Sequence, residues 1–517
     1  MRIADYFDAT AERQPDRVAL LDDGHSLDFG QAQRFVHAIA HALDRQSGLR
    51  AGAHIALYSP NDWRVPLLLL GINRSDRVWL SAHTRNPVQV NTEVLAFMDC
   101  EFVFFHSAFE DVVPQLKAGL PQAIGFVCID RTSRHGPALE DWIDGDAAPY
   151  RAGLEDPLAT AFIQPTGGTT GPSKAAIHTQ RGLEMALIAG REVAHHSPAS
   201  RYLAVAPLTH AGGITALVTL CCGGSVVVMN LTGAEQVLDA IERWRVTHLF
   251  LPPTLLYMLC DAMQARPRDV ASLRHFVTGA APVAPEKMKL ATRLFGPVMC
   301  EGYGQTEGGM PLIYKQPADY LLEDGGFDEA ALASTGRAVP FARVEIMDEA
   351  GRILPPGERG EIVLQSSLVM QAYYKNEAET EAIGRHGWRH TGDVGVKDAR
   401  GFITIVDRLK DMIVTGGFNV FPAQIEAVIL EHAAVLDCAV VGVPDDKWGE
   451  AVKAVVQLRP GHAVDAEALV ARCRDRLGSV HAPKSVEFWN DLPRSAVGKL
   501  LRREVRAKFW SGHWRAI

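Results

Sequence analysis

The eight cysteines form no C-x-x-C pair and share no regular spacing. That excludes a disulfide frame or a zinc knuckle and points to reduced, buried thiols in a cytoplasmic protein. Basic residues are not in excess either: 52 Lys and Arg stand against 61 Asp and Glu, for a net charge of −9. This argues against a nucleic-acid partner. The N-terminus has no apolar leader, since Asp5, Asp8, Glu12 and Arg13 interrupt it. The most membrane-like stretch, residues 212–229, is uncharged but contains four glycines, and it reads as a buried helix followed by a strand rather than an integral span. No internal repeat or low-complexity tract is present. What remains is an ordinary apolar-to-charged balance in a chain too long for a single core, which suggests about two to four domains.

Short apolar runs alternate with helical stretches through the first 300 residues. Residues 55–58, 78–80, 102–105 and 124–129 read as buried strands, as do 161–164, 202–206, 225–229, 248–251, 275–278 and 297–300. Phe35, Ile39 and Leu43 mark a helical stripe, and Asn61 is placed to cap a helix over residues 63–72. Such alternation predicts an α/β fold with doubly wound, mostly parallel sheets. From about residue 336 the texture turns β-rich, with strands expected at 343–347 and 361–364. A third texture begins near Asp407: a helix opened by Pro422, strands at 435–441 and 452–458, and a helix at 465–477. The expected organisation is a large domain over 1–406 whose β-rich subdomain covers about 336–406, a hinge at 407–411, and a small, mobile α+β domain over 412–517.

Chemistry concentrates first in residues 163–174, where Thr166, Gly167, Gly168, Thr169, Thr170 and Gly171 lead to Lys174. Glycines let backbone N–H groups turn inward, and successive inward N–H groups form an anion-binding nest. A flexible surface loop is the alternative. A P-loop is excluded, because Ala175 rather than Ser or Thr follows the lysine. Further on come Thr278-Gly279-Ala280-Ala281-Pro282, Glu301-Gly302-Tyr303-Gly304-Gln305-Thr306-Glu307, Thr391-Gly392-Asp393, Asp407-Arg408-Leu409-Lys410-Asp411 and Pro493-Arg494-Ser495-Ala496-Val497-Gly498-Lys499. Each alone is weak: a capped strand end, a loop, an exposed Asp in a glycine turn, a solvated charge run, a surface lysine. An aromatic face, a hydroxyl and a carboxylate at the spacing of Tyr303, Thr306 and Glu307 suit a purine, a phosphate and a divalent cation.

Together, in this order and at these intervals, the motifs resemble the adenylate-forming superfamily of acyl-CoA synthetases, peptide-synthetase adenylation domains and luciferases, over essentially the whole chain. The resemblance implies ATP, Mg2+ and coenzyme A, with a carboxylate first adenylated and then passed to a thiol. It implies that Lys499 bridges the carboxylate and the α-phosphate and that Glu307 holds the metal. Thr166, Thr169, Thr170 and Lys174, with Gly167, Gly168 and Gly171, would cradle the outer phosphates. Tyr303, Gly279, Ala280, Ala281, Glu301, Gly302, Gln305 and Thr306 would surround the base and α-phosphate, and Asp393 and Arg408 would hold the ribose. Lys410 falls at the hinge, and Gly416, Gly417 and Phe418 at the thiol tunnel. His210 falls between that tunnel and the acyl pocket, which it would line with Gly309 and Met310, either as a catalytic residue or as a packed histidine with no proton role. The chain departs from the pattern at Gly167, Ser173, Ala175 and Gln424.

An acyl-CoA synthetase is therefore expected. The alternatives are a stand-alone enzyme loading a carrier protein and a non-catalytic nucleotide sensor. No acid follows His210 to pair with an amino-acid ammonium, and Lys499, Glu307 and Asp393 together argue against a mere sensor. The stretches 208–219 and 308–312 carry no Arg or Lys, so a second substrate carboxylate would be buried unpaired. The expected substrate is an apolar monocarboxylate, fatty or aromatic, and the assembly is open between monomer and homodimer.

Overall fold

The computed structural model describes residues 1–143, 148–151, 153, 156–166, 174–230, 233–416, 418–445, 447–494 and 500–510. Among these, the strands form sheets of seven, thirteen and five. In the seven-stranded sheet, Thr160–Pro165, Val78–Ser81, His54–Tyr58, Phe102–Phe105 and Gly125–Cys128 lie parallel in that order. In the thirteen-stranded sheet the parallel run is Met299–Gln305, His275–Gly279, His248–Leu251, Arg201–Ala204, Ser225–Val228 and Val18–Leu21. Strands covered on both faces read as unbroken apolar runs, which is why the alternation was visible in the sequence. The helices Arg64–Arg74 and Ala211–Cys221 are apolar nearly all round and pack with both sheets into one large core. The expected helix and strand within 212–229 are thus Ala211–Cys221 and Ser225–Val228. No described helix is long and apolar enough to cross a membrane.

Asn61 does not cap the helix that follows it. Its side-chain amide donates to the carbonyls of Ala204, Val205, Ala206 and Met229 at 3.0–3.2 Å, while Asp62 accepts from the backbone N–H of Arg64. Asn61 therefore ties the carboxyl ends of two strands of the large sheet to the other sheet. The helix Phe29–Arg45 has a reciprocal cap instead: Asp28 and Gln31 each accept the other's backbone N–H.

Past residue 336, Gly336–Ala338, Ala342–Met347, Arg359–Ser366, Arg389–Lys397 and Phe402–Arg408 pair antiparallel and prolong the large sheet rather than forming one of their own. The junction is a hairpin the sequence reading lacked, Met299–Gln305 with Gly309–Lys315. The five-stranded sheet holds Ile413–Thr415, Phe418–Val420, Val435–Asp445, Gly449–Leu458 and Ser485–Phe488. The helices Pro422–Leu430 and Arg502–Trp510 pack on Val435–Asp445, and Ala466–Leu477 packs on Ser485–Phe488.

Candidate active site

The strand Met299–Gln305 runs farther than expected, so Tyr303 and Gln305 sit on it and not beyond it. Asp393 likewise lies within the strand Arg389–Lys397, not after a turn, and is only 5% exposed. The Tyr303 hydroxyl donates to Asp393 Oδ2 at 2.6 Å, and Gln305 Nε2 donates to the Tyr303 oxygen at 3.0 Å. Asp393 pairs across the sheet with Arg408, whose Nε is 3.3 Å from Oδ1. Burial, then the Asp393 charge, pushes the Tyr303 phenol well above its ordinary pKa, so it stays a donor. Four of the expected residues, from three strands, thus form one network whose carboxylate can accept about four hydrogen bonds.

Beside it, Gly279 ends its strand directly opposite Gly302. A Cβ at Gly279 would lie 2.4 Å from the Gly302 carbonyl oxygen, so this close approach requires glycine. Ala280, with φ of 68°, then turns the chain and is exposed with Ala281, leaving a small-residue ledge next to Tyr303. The side chain of Glu301 is buried. It pairs at 2.9 Å with the fully buried Lys315, which also donates to the carbonyls of Ala331 and Ser334. Burial raises the Glu301 pKa and Lys315 opposes the shift.

Residues 167–173 lie outside the described residues, and with them the expected Gly167, Gly168, Thr169, Thr170 and Gly171 and the departure at Ser173. Their flanks are fixed: Thr160–Pro165 and Ala175–Thr179 form an antiparallel hairpin, closed by the Thr166 N–H on the Lys174 carbonyl at 2.8 Å. Lys174 Nζ is 2.7 Å from Glu379 and 5.5 Å from the Tyr373 ring centroid. The Tyr373 hydroxyl donates to Glu307 Oε1 at 2.8 Å. Tyr373 and Glu379 were not foreseen; Tyr373 reaches this position because its strand pairs with Ala175–Thr179. The Glu307 carboxylate is half-buried, and it sits beside the expected phosphate hairpin. That suits Mg2+, which is usually held by one or two carboxylates together with substrate phosphates.

Lys499 and Gly417 also lie outside the described residues. Arg494 and Leu500, on either side of the lysine segment, are bridged antiparallel, and Leu501 N–H donates to Pro493 O at 2.9 Å. Arg494 pairs with Asp437. Burial first, then the charges of Glu301 and Asp437, push the Tyr257 phenol up to about 12. The Tyr257 oxygen accepts from Ala284, shortly after the Gly279 ledge. Lys410 is exposed in the turn Leu409–Asp411. Gly416, at φ of 56°, donates to the Trp448 carbonyl at 3.0 Å, and Phe418 is exposed.

A cavity of about 150 Å3 opens at Gly302, Tyr303, Gln305, Gly309 and Met310. Gly309 and Met310 thus line it as expected; His210 does not, although the adjacent Ala211 does. His210 instead packs on His83 with ring centroids 4.7 Å apart, and burial, then His83, lowers its pKa to about 3. One wall is the helix Gln180–Val193, which presents Gly182, Ala186 and Gly190 at four-residue steps, continued by Ala194 beyond its end. Facing it are Ile214, Thr215 and Val218. Among the described residues, no Asp, Glu, Lys or Arg lines the cavity. Three buried polar atoms of its wall, His178 Nε2, Tyr202 Oη and Tyr314 Oη, have no hydrogen-bond partner among the described residues.

Residues 7–374 match the family described as AMP-binding enzyme, and residues 424–499 match the AMP-binding enzyme C-terminal domain. A medium/long-chain-fatty-acid–CoA ligase, FadD8 of Mycobacterium tuberculosis, is 39% identical over 77% of this chain and 68% of its own length. A feruloyl-CoA synthase of Amycolatopsis sp is 32% identical over 96% of this chain and 97% of its own. The structure of the amide bond synthetase McbA from Marinactinospora thermotolerans superposes with a TM-score of 0.88 at 30% identity, covering 98% and 100% of the two chains. On these matches over most of its length, the chain belongs to the AMP-binding, adenylate-forming enzyme family and is an AMP-forming acyl-CoA ligase.

Proposed function

We propose that the substrate is an apolar monocarboxylic acid, fatty or aromatic, activated as its adenylate and then transferred to the thiol of coenzyme A. The observation that carries this reading is the uncharged cavity opening onto Tyr303 and Gln305. A second carboxylate there would lose its hydration with no cation to replace it.

In the first half-reaction a carboxylate oxygen attacks the α-phosphorus and pyrophosphate leaves. Two anions must meet, so positive charge has to be in place beforehand. Lys499 supplies it from the segment framed by Arg494 and Leu500. The hairpin that carries Thr166 and Lys174 steadies the departing phosphates, and Glu307 is the residue that would hold Mg2+, whose charge would offset that of the leaving group. Tyr303 and the Gly279–Ala281 ledge sandwich the purine, while Asp393 and Arg408 hold the ribose. In the second half-reaction the thiol sulfur attacks the acyl carbon and AMP leaves. Residues 412–517 turn about Lys410 in the 407–411 hinge, exchanging Lys499 for Gly416, Gly417 and Phe418 at the thiol path. The enzyme works in the cytoplasm.

ATP–pyrophosphate exchange over a panel of acids, followed by AMP formation with and without coenzyme A, tests this. Octanoate or benzoate is expected to outpace malonate. Faster exchange with malonate overturns the assignment of the acid, and AMP formation that ignores coenzyme A overturns that of the acceptor.

A further inference from the structure

The cavity runs inward from the carboxyl ends of the strands, where Gly279 and Gly302 form the nucleotide ledge, toward their amino ends. Along that direction its floor changes character. Phe250 and Val277 are apolar, but two residues earlier on its strand His248 takes the place of Phe250, with Tyr202 beside it in register. His196 stacks on His248, ring centroids 4.4 Å apart. That end of the channel is thus walled by Tyr202, His196 and His248, which are at most 5% exposed.

The hydrogen bonds fix what these rings offer. His248 Nε2 donates to the Ala194 carbonyl at 2.9 Å, and its Nδ1 accepts from the Thr247 hydroxyl at 2.7 Å, so His248 is satisfied. The Thr219 hydroxyl gives its proton to the Thr215 carbonyl at 2.8 Å, so toward His196 Nδ1, 3.2 Å away, it can only accept. His196 therefore carries its proton on Nδ1 and presents a bare lone pair at Nε2, which has no hydrogen-bond partner among the described residues. Burial keeps the ring neutral, with its pKa held well below the ordinary value. Tyr202, whose buried hydroxyl also has no hydrogen-bond partner among the described residues, lines the same cavity. Thr215, next to it, has its own proton on the Ala211 carbonyl, so toward Tyr202 and a ligand it can only accept.

One acceptor and one donor-acceptor, both buried, are complementary to a single hydroxyl, which gives its proton to His196 and receives one from Tyr202. A ketone would set a lone pair against Nε2. A carboxylate or ammonium would lie among neutral groups with no counter-charge. We propose that the far end of the cavity is a hydroxyl-binding subsite, and that the acid this enzyme favours carries a hydroxyl at the end opposite its carboxylate. This rests on the reading of the cavity as the acyl pocket.

The hydroxyl can be that of an ω-hydroxy fatty acid or of a phenol. Two matched pairs separate these sources: 12-hydroxydodecanoate against dodecanoate, and 4-hydroxycinnamate against cinnamate, each followed by coenzyme A-dependent AMP formation. In the wild-type enzyme the hydroxylated member of one pair is expected to show a kcat/KM higher by about tenfold or more, because an unpaired buried polar group disfavours the deoxy acid. In Tyr202→Phe and in His196→Phe that ratio is expected to fall toward unity; since it compares two acids on one protein, a general loss of activity cancels from it. A wild-type ratio near or below one in both pairs overturns the subsite and leaves the acyl pocket standing. A preference that survives both substitutions also overturns the subsite. If none of the four acids is activated, the acyl-pocket reading falls, and the subsite with it.

Discussion

Placing a leucine on the helix that walls the cavity should cut the accepted chain length at a place set by helix geometry. Ala186 and Gly190 both face the lumen, four residues apart on Gln180–Val193. At about 1.5 Å of rise per residue they are about 6 Å apart along the channel. An extended chain advances about 1.3 Å per methylene, from C–C bonds of about 1.5 Å at tetrahedral angles, so the two rungs differ by between four and five methylenes. Ala186→Leu should therefore stop acids that Gly190→Leu still admits. Each methylene denied burial forfeits about 0.8 kcal/mol. Four of them amount to about 3 kcal/mol, or roughly two orders of magnitude in kcat/KM. Gly190→Leu also displaces Val218, whose Cγ1 lies 2.5 Å from the site of a new Cβ, so its overall rate falls. The position of the cut-off, not the rate, is the observable. Coenzyme A-dependent AMP formation from hexanoate to hexadecanoate measures it on both variants. Identical chain-length profiles would refute the assignment of this helix as the channel wall.

Three further outcomes follow from the same geometry. Lys499→Ala is expected to abolish adenylate formation but still convert a supplied acyl-adenylate, and Lys410→Pro to do the reverse; equal loss of both half-reactions in either variant removes the division of labour. Gly279→Ala, whose Cβ would lie 2.4 Å from the Gly302 carbonyl oxygen, forces the ledge open at a cost of about 1–3 kcal/mol, so the KM for ATP in pyrophosphate exchange should rise by about tenfold; an unchanged KM means the ledge does not meet the nucleotide. Burial, opposed by Arg502, raises Asp407 from 3.8 to about 6. A raised carboxylate contributes stability below its unfolded pKa and loses it as the pH climbs through the folded one, here between about 4 and 6, by a total of about 3 kcal/mol. Thermal melts should therefore show wild-type stability falling relative to Asp407→Asn across that window, and a difference that does not vary with pH contradicts the shift.

The sheets were readable because their strands are buried on both faces and bounded by turns, and the nucleotide motifs because their chemistry survives as local spacing. What could not be read depends on registers between distant strands. Asn61 looks like any helix cap until four carbonyls from two other strands converge on its amide. Tyr373 and Glu379 meet Lys174 only because a two-residue strand joins the edge of the seven-stranded sheet. Asp393 reads as a turn residue from Thr-Gly-Asp, yet its strand continues because Arg408 pairs opposite it. Nothing in the order of Tyr202, His196 and His248 announces that they close one channel. The stripe of small residues from Gly182 to Ala194 has the right helical period, but only the opposing helix shows that it walls a cavity while packing closely on Val218 at Gly190.

The Lys315–Glu301 pair puts two unlike fastenings into one molecule. It is buried, out of reach of counter-ions, and pins the chain two residues before Tyr303. Arg459, just past the strand Gly449–Leu458, and Asp261, on the helix Pro253–Ala265, by contrast face each other at 3.9 Å with the arginine half-buried and the aspartate exposed. Mobile ions screen exposed charges over about 8 Å at physiological strength and scarcely touch buried ones. Ionic strength thus acts on the two unequally, and salt should loosen the Arg459–Asp261 contact before it alters the melting of the large sheet.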